Sequence, residues 1–169
     1  MLLNPCPLRT CELKRIVNMK INLKQVFNIV GESRDFDYET GRDELKHIKG
    51  ISFSSALRIK GRAYNRAGVV YLDYTASFSL SLECDRCLKK FERNHEFDFS
   101  HIVVRELNGD NDDYIVAESE SIEMNDIAIT DILPELPSKN LCRDDCKGLC
   151  MVCGCDLNES VCNCLNTEL

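Results

Sequence analysis

The chain has 169 residues, a formal net charge of -7 and a sequence pI of about 5.0, a balance that argues against non-specific nucleic-acid binding over the whole surface while leaving room for a local basic face. It contains no run of about 18 apolar residues to cross a membrane as a helix, and its first residues carry no apolar h-region of a secretory signal. A cytoplasmic chain with reduced thiols is expected, so the paired spacing among its 11 cysteines is read as metal ligation rather than disulfides.

Residues 1–18 hold two prolines, the isolated Cys6 and Cys11, and no clear period. They are read as a loose extension ahead of Met19, the expected functional start, with both cysteines as bystanders. From Met19, MKINLKQVF begins a strand-like alternation, residues 34–40 place Phe36 and Tyr38 on one face, and residues 41–50 read as a polar loop. The stretch FSSALRIKGRAYNRAG predicts a strand with Arg58, Lys60 and Arg62 on one face, because side chains alternate with period two, and then a turn over 65–68.

Residues 70–82 give the cleanest pattern. Val70, Leu72, Tyr74, Ala76, Phe78, Leu80 and Leu82 alternate with Tyr71, Asp73, Thr75 and three serines, predicting a long strand of an antiparallel sheet with one buried and one wet face. It runs into the tight reversal Cys84-Asp85-Arg86-Cys87, and residues 91–104 return as a second strand, so the first cysteine pair belongs at a hairpin tip. Residues 106–135 contain ten acids and no lysine, arginine or histidine. Within them, 114–117 read as a short strand and 126–133 as a helix capped by Asn125 or Asp126, with Pro134 ending or kinking it.

Seven cysteines fall between Leu141 and Cys164. Thiolates two residues apart can reach one ion from a tight turn, and zinc prefers four ligands in a tetrahedron. The pairs Cys84/Cys87, Cys142/Cys146, Cys150/Cys153 and Cys162/Cys164 supply eight ligands for two structural zinc sites, with Cys155 left over. Two groupings fit the spacing. In one, the last four cysteines close locally and Cys84/Cys87 join Cys142/Cys146; in the other, Cys142/Cys146 join Cys150/Cys153 and Cys84/Cys87 take Cys162/Cys164. The first is preferred for its simpler local closure. Iron–sulfur ligation and a redox dithiol are the competing chemistries for such a set.

The segments MKINL (19–23), LECDRCLKKFE (82–92), IEMNDIAITDILPELPSKNLC (122–142) and DCKGLCMVCGCDLNESVCNC (145–164) together resemble the YceD family, the domain of unknown function 177, in the form carrying a cysteine-rich C-terminal tail. The likeness covers the chain from Met19 onward. It implies one metal site made by Cys84, Cys87, Cys142 and Cys146, and a role in accumulation of large-subunit ribosomal RNA. Cys155, Met151 and Pro134 stand where relatives usually differ.

The resulting expectation is an α+β chain: a mainly antiparallel sheet with one short helix over residues 19–141, and a zinc-binding tail over 142–169. The expected function is a non-enzymatic ribosome-assembly factor whose partner is large-subunit ribosomal RNA, a pre-ribosomal particle or a basic ribosomal protein, with no membrane partner. Between residues 42 and 66 there are seven Lys/Arg and two acids. Arg58, Lys60, Arg62 and Tyr64, with Lys89 and Lys90 near the first cysteines, are therefore the candidate RNA contacts. The acidic 106–135 stretch is the candidate docking surface for a basic protein. A protein–protein adaptor is the alternative, ahead of a thiol redox protein. His47, His95 and His101 fall in no nucleophile or metal motif, and no catalytic residue is assigned.

Overall fold

The computed structural model describes residues 19–46, 48, 50–107 and 114–166. The expected extension with Cys6 and Cys11, the NGDNDD loop and His47 lie outside the described residues. In chain order the elements are β1 (Lys20–Asn22), α1 (Lys24–Asn28), β2 (Ser33–Thr40), α2 (Arg42–Leu45), β3 (Leu57–Arg66), β4 (Val69–Glu83), β5 (Lys90–Val104), β6 (Ile115–Val116), β7 (Ser121–Glu123) and α3 (Met124–Glu135). Strands β2-β3-β4-β5-β6 form one sheet, antiparallel except for the short parallel pairing of β5 with β6, and β1 pairs with β7. The α+β, mainly antiparallel architecture matches the sequence reading.

The core sits on one face of the large sheet. The alternation in β4 buries Val70, Leu72, Tyr74, Ala76, Phe78 and Leu80, while Asp73, Thr75, Ser77 and Ser79 remain partly exposed opposite them. Helix α3 covers that buried face with Met124, Ala128 and Ile132, spaced at one helical turn. Asp131 fixes the helix to the strands: Tyr74 Oη donates to Asp131 Oδ2, and His101 Nε2 lies 2.7 Å from the same oxygen. Burial and the Asp131 carboxylate push the Tyr74 phenol well above its usual range, so it stays a donor.

Two glycines shape the sheet. A Cβ on Gly61 would lie 2.3 Å from the Asp73 carbonyl oxygen and 2.5 Å from Tyr74 Cβ, so only glycine permits this approach of β3 and β4. Between them, Ala67 and Gly68 both have positive φ (53° and 88°), the pattern of a two-residue hairpin turn whose twist matches the strands. The buried Asn65 braces that turn, accepting from the Gly68 N–H at 3.0 Å and donating to the Val26 carbonyl at 2.7 Å.

Several local expectations need correction. The alternation after Met19 stops at Asn22, because Leu23 and Val26 are both buried at one-turn spacing and draw residues 24–28 into α1. Residues 42–45 form α2 rather than loop, anchored by the buried Leu45. Helix α3 starts two residues earlier than expected and carries Pro134 in its last turn, before Leu136 becomes extended. Its N-cap position is Glu123 with no side-chain cap; Asn125 instead accepts a 2.7 Å hydrogen bond from Thr40. No helix among the described residues is long and apolar enough to cross a membrane.

Candidate metal centres

Hairpin β4–β5 delivers the first cysteine pair. At its tip the Cys84 N–H donates to the Lys89 carbonyl at 3.0 Å and the Leu88 N–H to the Cys84 carbonyl at 2.9 Å, which forces Leu88 to φ 59°. The segment carrying Cys142 and Cys146 is stitched to that tip. The Asp85 N–H donates to the Asn140 carbonyl at 2.8 Å, and the Asn140 N–H returns to Asp85 Oδ2 at 2.7 Å. The Arg86 guanidinium reaches the Cys146 carbonyl at 2.7 Å, the Leu149 N–H reaches the Arg86 carbonyl at 3.1 Å, and Arg93 holds the Leu141 carbonyl at 2.7 Å. Gly148, at φ 77°, leaves room for the Arg86 carbonyl, which a Cβ would meet at 3.0 Å.

These contacts bring the sulfurs of Cys84, Cys87, Cys142 and Cys146 within 4.8 Å of one another. Cys84 and Cys146 are 3.8 Å apart, and Cys87 and Cys142 3.6 Å. Sulfurs bound at about 2.3 Å to one tetrahedral ion lie about 3.8 Å apart, so the cage fits a metal ion. A second cage forms from Cys150, Cys153, Cys162 and Cys164, also within 4.8 Å, with Cys162 at 3.2 Å from Cys150 and 3.5 Å from Cys153. Its turn is closed by the Gly154 N–H donating to the Cys150 carbonyl at 2.9 Å, with Gly154 at φ 73°. The eight cysteines thus fall into the first of the two groupings weighed above.

The electrostatics of both cages suit a cation. Burial pushes the Cys84 thiol up, but N–H groups of Cys142, Cys87 and Arg86 outweigh it and bring Cys84 down to about 6. Burial and the neighbouring sulfurs push Cys142 up. In the second cage the N–H of Cys155 leads in lowering Cys153, whereas its contact with Cys153 raises Cys155. In the first cage Cys84 is favoured as a thiolate while Cys87 and Cys142 are opposed, and in the second Cys150 and Cys153 are favoured while Cys164 is opposed, so a bound cation would offset the repulsion among four thiolates. Four thiolates saturate a tetrahedral ion and leave no open position for water.

Asn158 had no signal in the cysteine spacing, yet it joins the tail turn to the first cage. Its Nδ2 lies 3.5 Å from Cys146 Sγ and 2.6 Å from Asp156 Oδ1, while its Oδ1 accepts from the Lys147 N–H at 2.8 Å and from Arg143 at 2.7 Å. Arg86 and Gly148 were missed for the same reason: their roles are set by backbone groups across the hairpin.

The family model described as Large ribosomal RNA subunit accumulation protein YceD matches residues 72–169, from near the start of β4 through both cages. The chain belongs to the YceD family. Among curated proteins it is similar to the Uncharacterized protein YlbN of Bacillus subtilis (strain 168), at 27% identity over 130 residues covering 75% of this chain and 76% of that protein. No solved structure matches.

The other candidate residues of this YceD-family chain are not gathered into one site. Arg58, Lys60, Arg62 and Tyr64 share the polar face of β3, but Arg58 makes a two-pronged ion pair with Asp37 at 2.9 Å, and Arg62 pairs with Asp35 at 2.5 Å. Tyr64 stacks on Tyr71, with ring centroids 5.4 Å apart. Lys89 pairs with Glu159 of the tail at 3.0 Å, and Lys90 faces Glu83 across the hairpin. The ring of His95 lies between Phe78 and Phe97, and burial lowers its pKa. In the acidic stretch, Asp131 is engaged by Tyr74 and His101, and Glu120 by Arg105 at 2.9 Å.

Proposed function

We propose that this chain is a zinc-stapled, non-enzymatic factor in large-subunit ribosomal RNA accumulation, acting during ribosome assembly. The observation that carries the reading is the match of the YceD family model across the very hairpin, helix and cysteine tail that build the two cages. The donor set suits zinc: eight thiolates in two closed tetrahedra, with no carboxylate or histidine among the ligands. Both ions then serve the fold and leave the sheet surface to meet partners.

The first test is a gradient sedimentation of the tagged protein, with and without nuclease, beside the large-to-small ribosomal RNA ratio in depleted cells. Co-migration with pre-large-subunit particles and a fall in large-subunit RNA are expected. Absence from every ribosomal fraction, with an unchanged ratio, overturns the reading. Mass spectrometry of the native protein should find two zinc ions per chain; iron with visible absorption would replace zinc by a cluster.

A second reading is a protein–protein adaptor without RNA contact, favoured by the pairing of Arg58 and Arg62 with Asp37 and Asp35, which leaves little unpaired positive charge on the β3 stripe. Retention of the same protein partner after complete nuclease digestion is its expected signature.

A further inference from the structure

The polar face of the large sheet is unpartnered among the described residues and hollowed into a groove of about 1130 Å³ across β2, β3, β4 and β5. The row Phe36, Gly61, Tyr74 and Phe99, paired in register, lies beneath it with side chains turned to the core, so backbone forms the floor. The walls are polar, and their charges are unevenly spent. On the β2–β3 side, Asp35 and Asp37 hold Arg62 and Arg58; the Asp37 carboxyl sits below its usual range first through Arg58 and then through Lys60.

On the β4–β5 side the acids have no such partners. Asp73 and Asp98 in the groove wall, and Glu96 just beyond it on the same face of β5, make no ion pair among the described residues. They receive hydroxyl hydrogen bonds instead: Ser100 to Asp73 at 2.7 Å, Thr75 to Asp98 at 2.6 Å and Ser77 to Glu96 at 3.4 Å. Neutral donors orient a carboxylate without cancelling its charge. The Asp73 carboxylate raises the Tyr64 phenol above its usual range, and the Tyr64 ring stacks on Tyr71, adding an aromatic surface beside these carboxylates.

Carboxylates at strand spacing beside a tyrosine pair form a recognition surface for guanidinium and ammonium groups, through charge-assisted hydrogen bonds and cation–π contact. The phosphates of RNA would meet the three unpaired acids, while the two arginines able to bind them are held by Asp35 and Asp37. We propose that this groove docks an extended Lys/Arg-rich segment of another protein. The inference rests on the assembly reading above only for where such a partner is met; the groove's chemistry stands apart from it.

The test is fluorescence anisotropy of the full chain with a labelled Arg/Ser-alternating peptide of about ten residues, beside a labelled adenosine oligoribonucleotide of similar length. The variant Asp73→Asn/Glu96→Gln/Asp98→Asn should weaken peptide binding about ten-fold. The control Glu118→Gln/Asp126→Asn/Glu135→Gln removes the same charge from the α3 side and should change binding less than about two-fold. Lys60→Glu should tighten it. An unchanged metal content in each variant certifies the fold.

Equal loss in the groove and control variants reduces the attraction to bulk charge and overturns the proposal. Binding of the oligoribonucleotide that Lys60→Glu abolishes overturns it in favour of RNA. Wild-type protein that binds the peptide through the groove, yet never sediments with pre-ribosomal particles, leaves the groove standing and removes the assembly reading. Persistent sedimentation with no groove dependence does the reverse.

Discussion

The two cysteine cages use the same chemistry and do different work. The first takes its ligands from a hairpin tip and from a segment more than 50 residues further along, and three of its four cysteines are buried. The second takes all four from residues 150–164, leaves Cys153 exposed, and is ringed by Met151 at 100% and Val161 at 93% exposure. A cage assembled from distant segments is a tertiary crosslink, and losing it frees everything it ties. A local cage orders only its own loop. Sequence separation of the ligands, more than their identity, therefore sets what an ion held in each cage would stabilise.

The largest effect should come from Cys84→Ser or Cys142→Ser. Each should lose one of two metal equivalents and lower the unfolding free energy by at least ~3 kcal/mol, as for the loss of a structural metal. The double variant should be scarcely worse than either single one, since both remove the same ion. Calorimetry with metal analysis checks this, and additive losses would mean that the two cysteines serve different ions.

Cys153→Ser should also cost one metal equivalent, yet move the main unfolding transition by less than ~1 kcal/mol, because the sheet core does not depend on that loop. A transition lowered as far as in Cys84→Ser would erase the difference between the cages.

Acidification offers a finer separation. N–H groups hold Cys84 at about 6, below an unfolded thiol near 8.5. A lowered folded-state pKa adds stability that is fully present above the unfolded value and declines as pH falls through the folded one. Protons compete with a bound ion for the thiolates, so metal release on acidification, followed with a chromogenic chelator, should reach the second cage first, because its Cys153 is exposed. Earlier release from the buried cage would reverse the ranking.

The smallest effect belongs to the link. Asn158→Ala removes the side chain shared by Cys146, Lys147, Arg143 and Asp156, and should cost about 1 kcal/mol while leaving both ions bound. Faster hydrogen exchange at the N–H of Lys147 is the matching readout.

The cages were legible because ligand spacing is a local property, written in CxxC, CxxxC and CxC pairs that a reader can count. The long β4–β5 hairpin was legible for a similar reason: its alternation runs unbroken through fifteen-residue strands. Helix α1 was not, since Ile21 and Leu23 carry the alternation up to its first residue and only Val26, three positions on, breaks it. The basic stripe of β3 shows the deeper limit. Its alternation was read correctly, but its neutralisation depends on register, which sets Asp35 opposite Arg62 and Asp37 opposite Lys60. Only the paired strands disclose whether a charge is available to a partner.

The pairing of β1 with β7 also sets a timetable. Ile21 faces Ile122, 101 positions later in the chain. During synthesis at roughly 5–20 residues per second, β1 emerges about 5–20 s before its partner. The meander from β2 to β5 can form in that interval through neighbouring hairpins. The first strand cannot be placed until β7 has left the ribosome, and Cys142 and Cys146 follow later still. The cysteine clasp is thus a late event in the birth of the molecule, closing after the sheet that it secures.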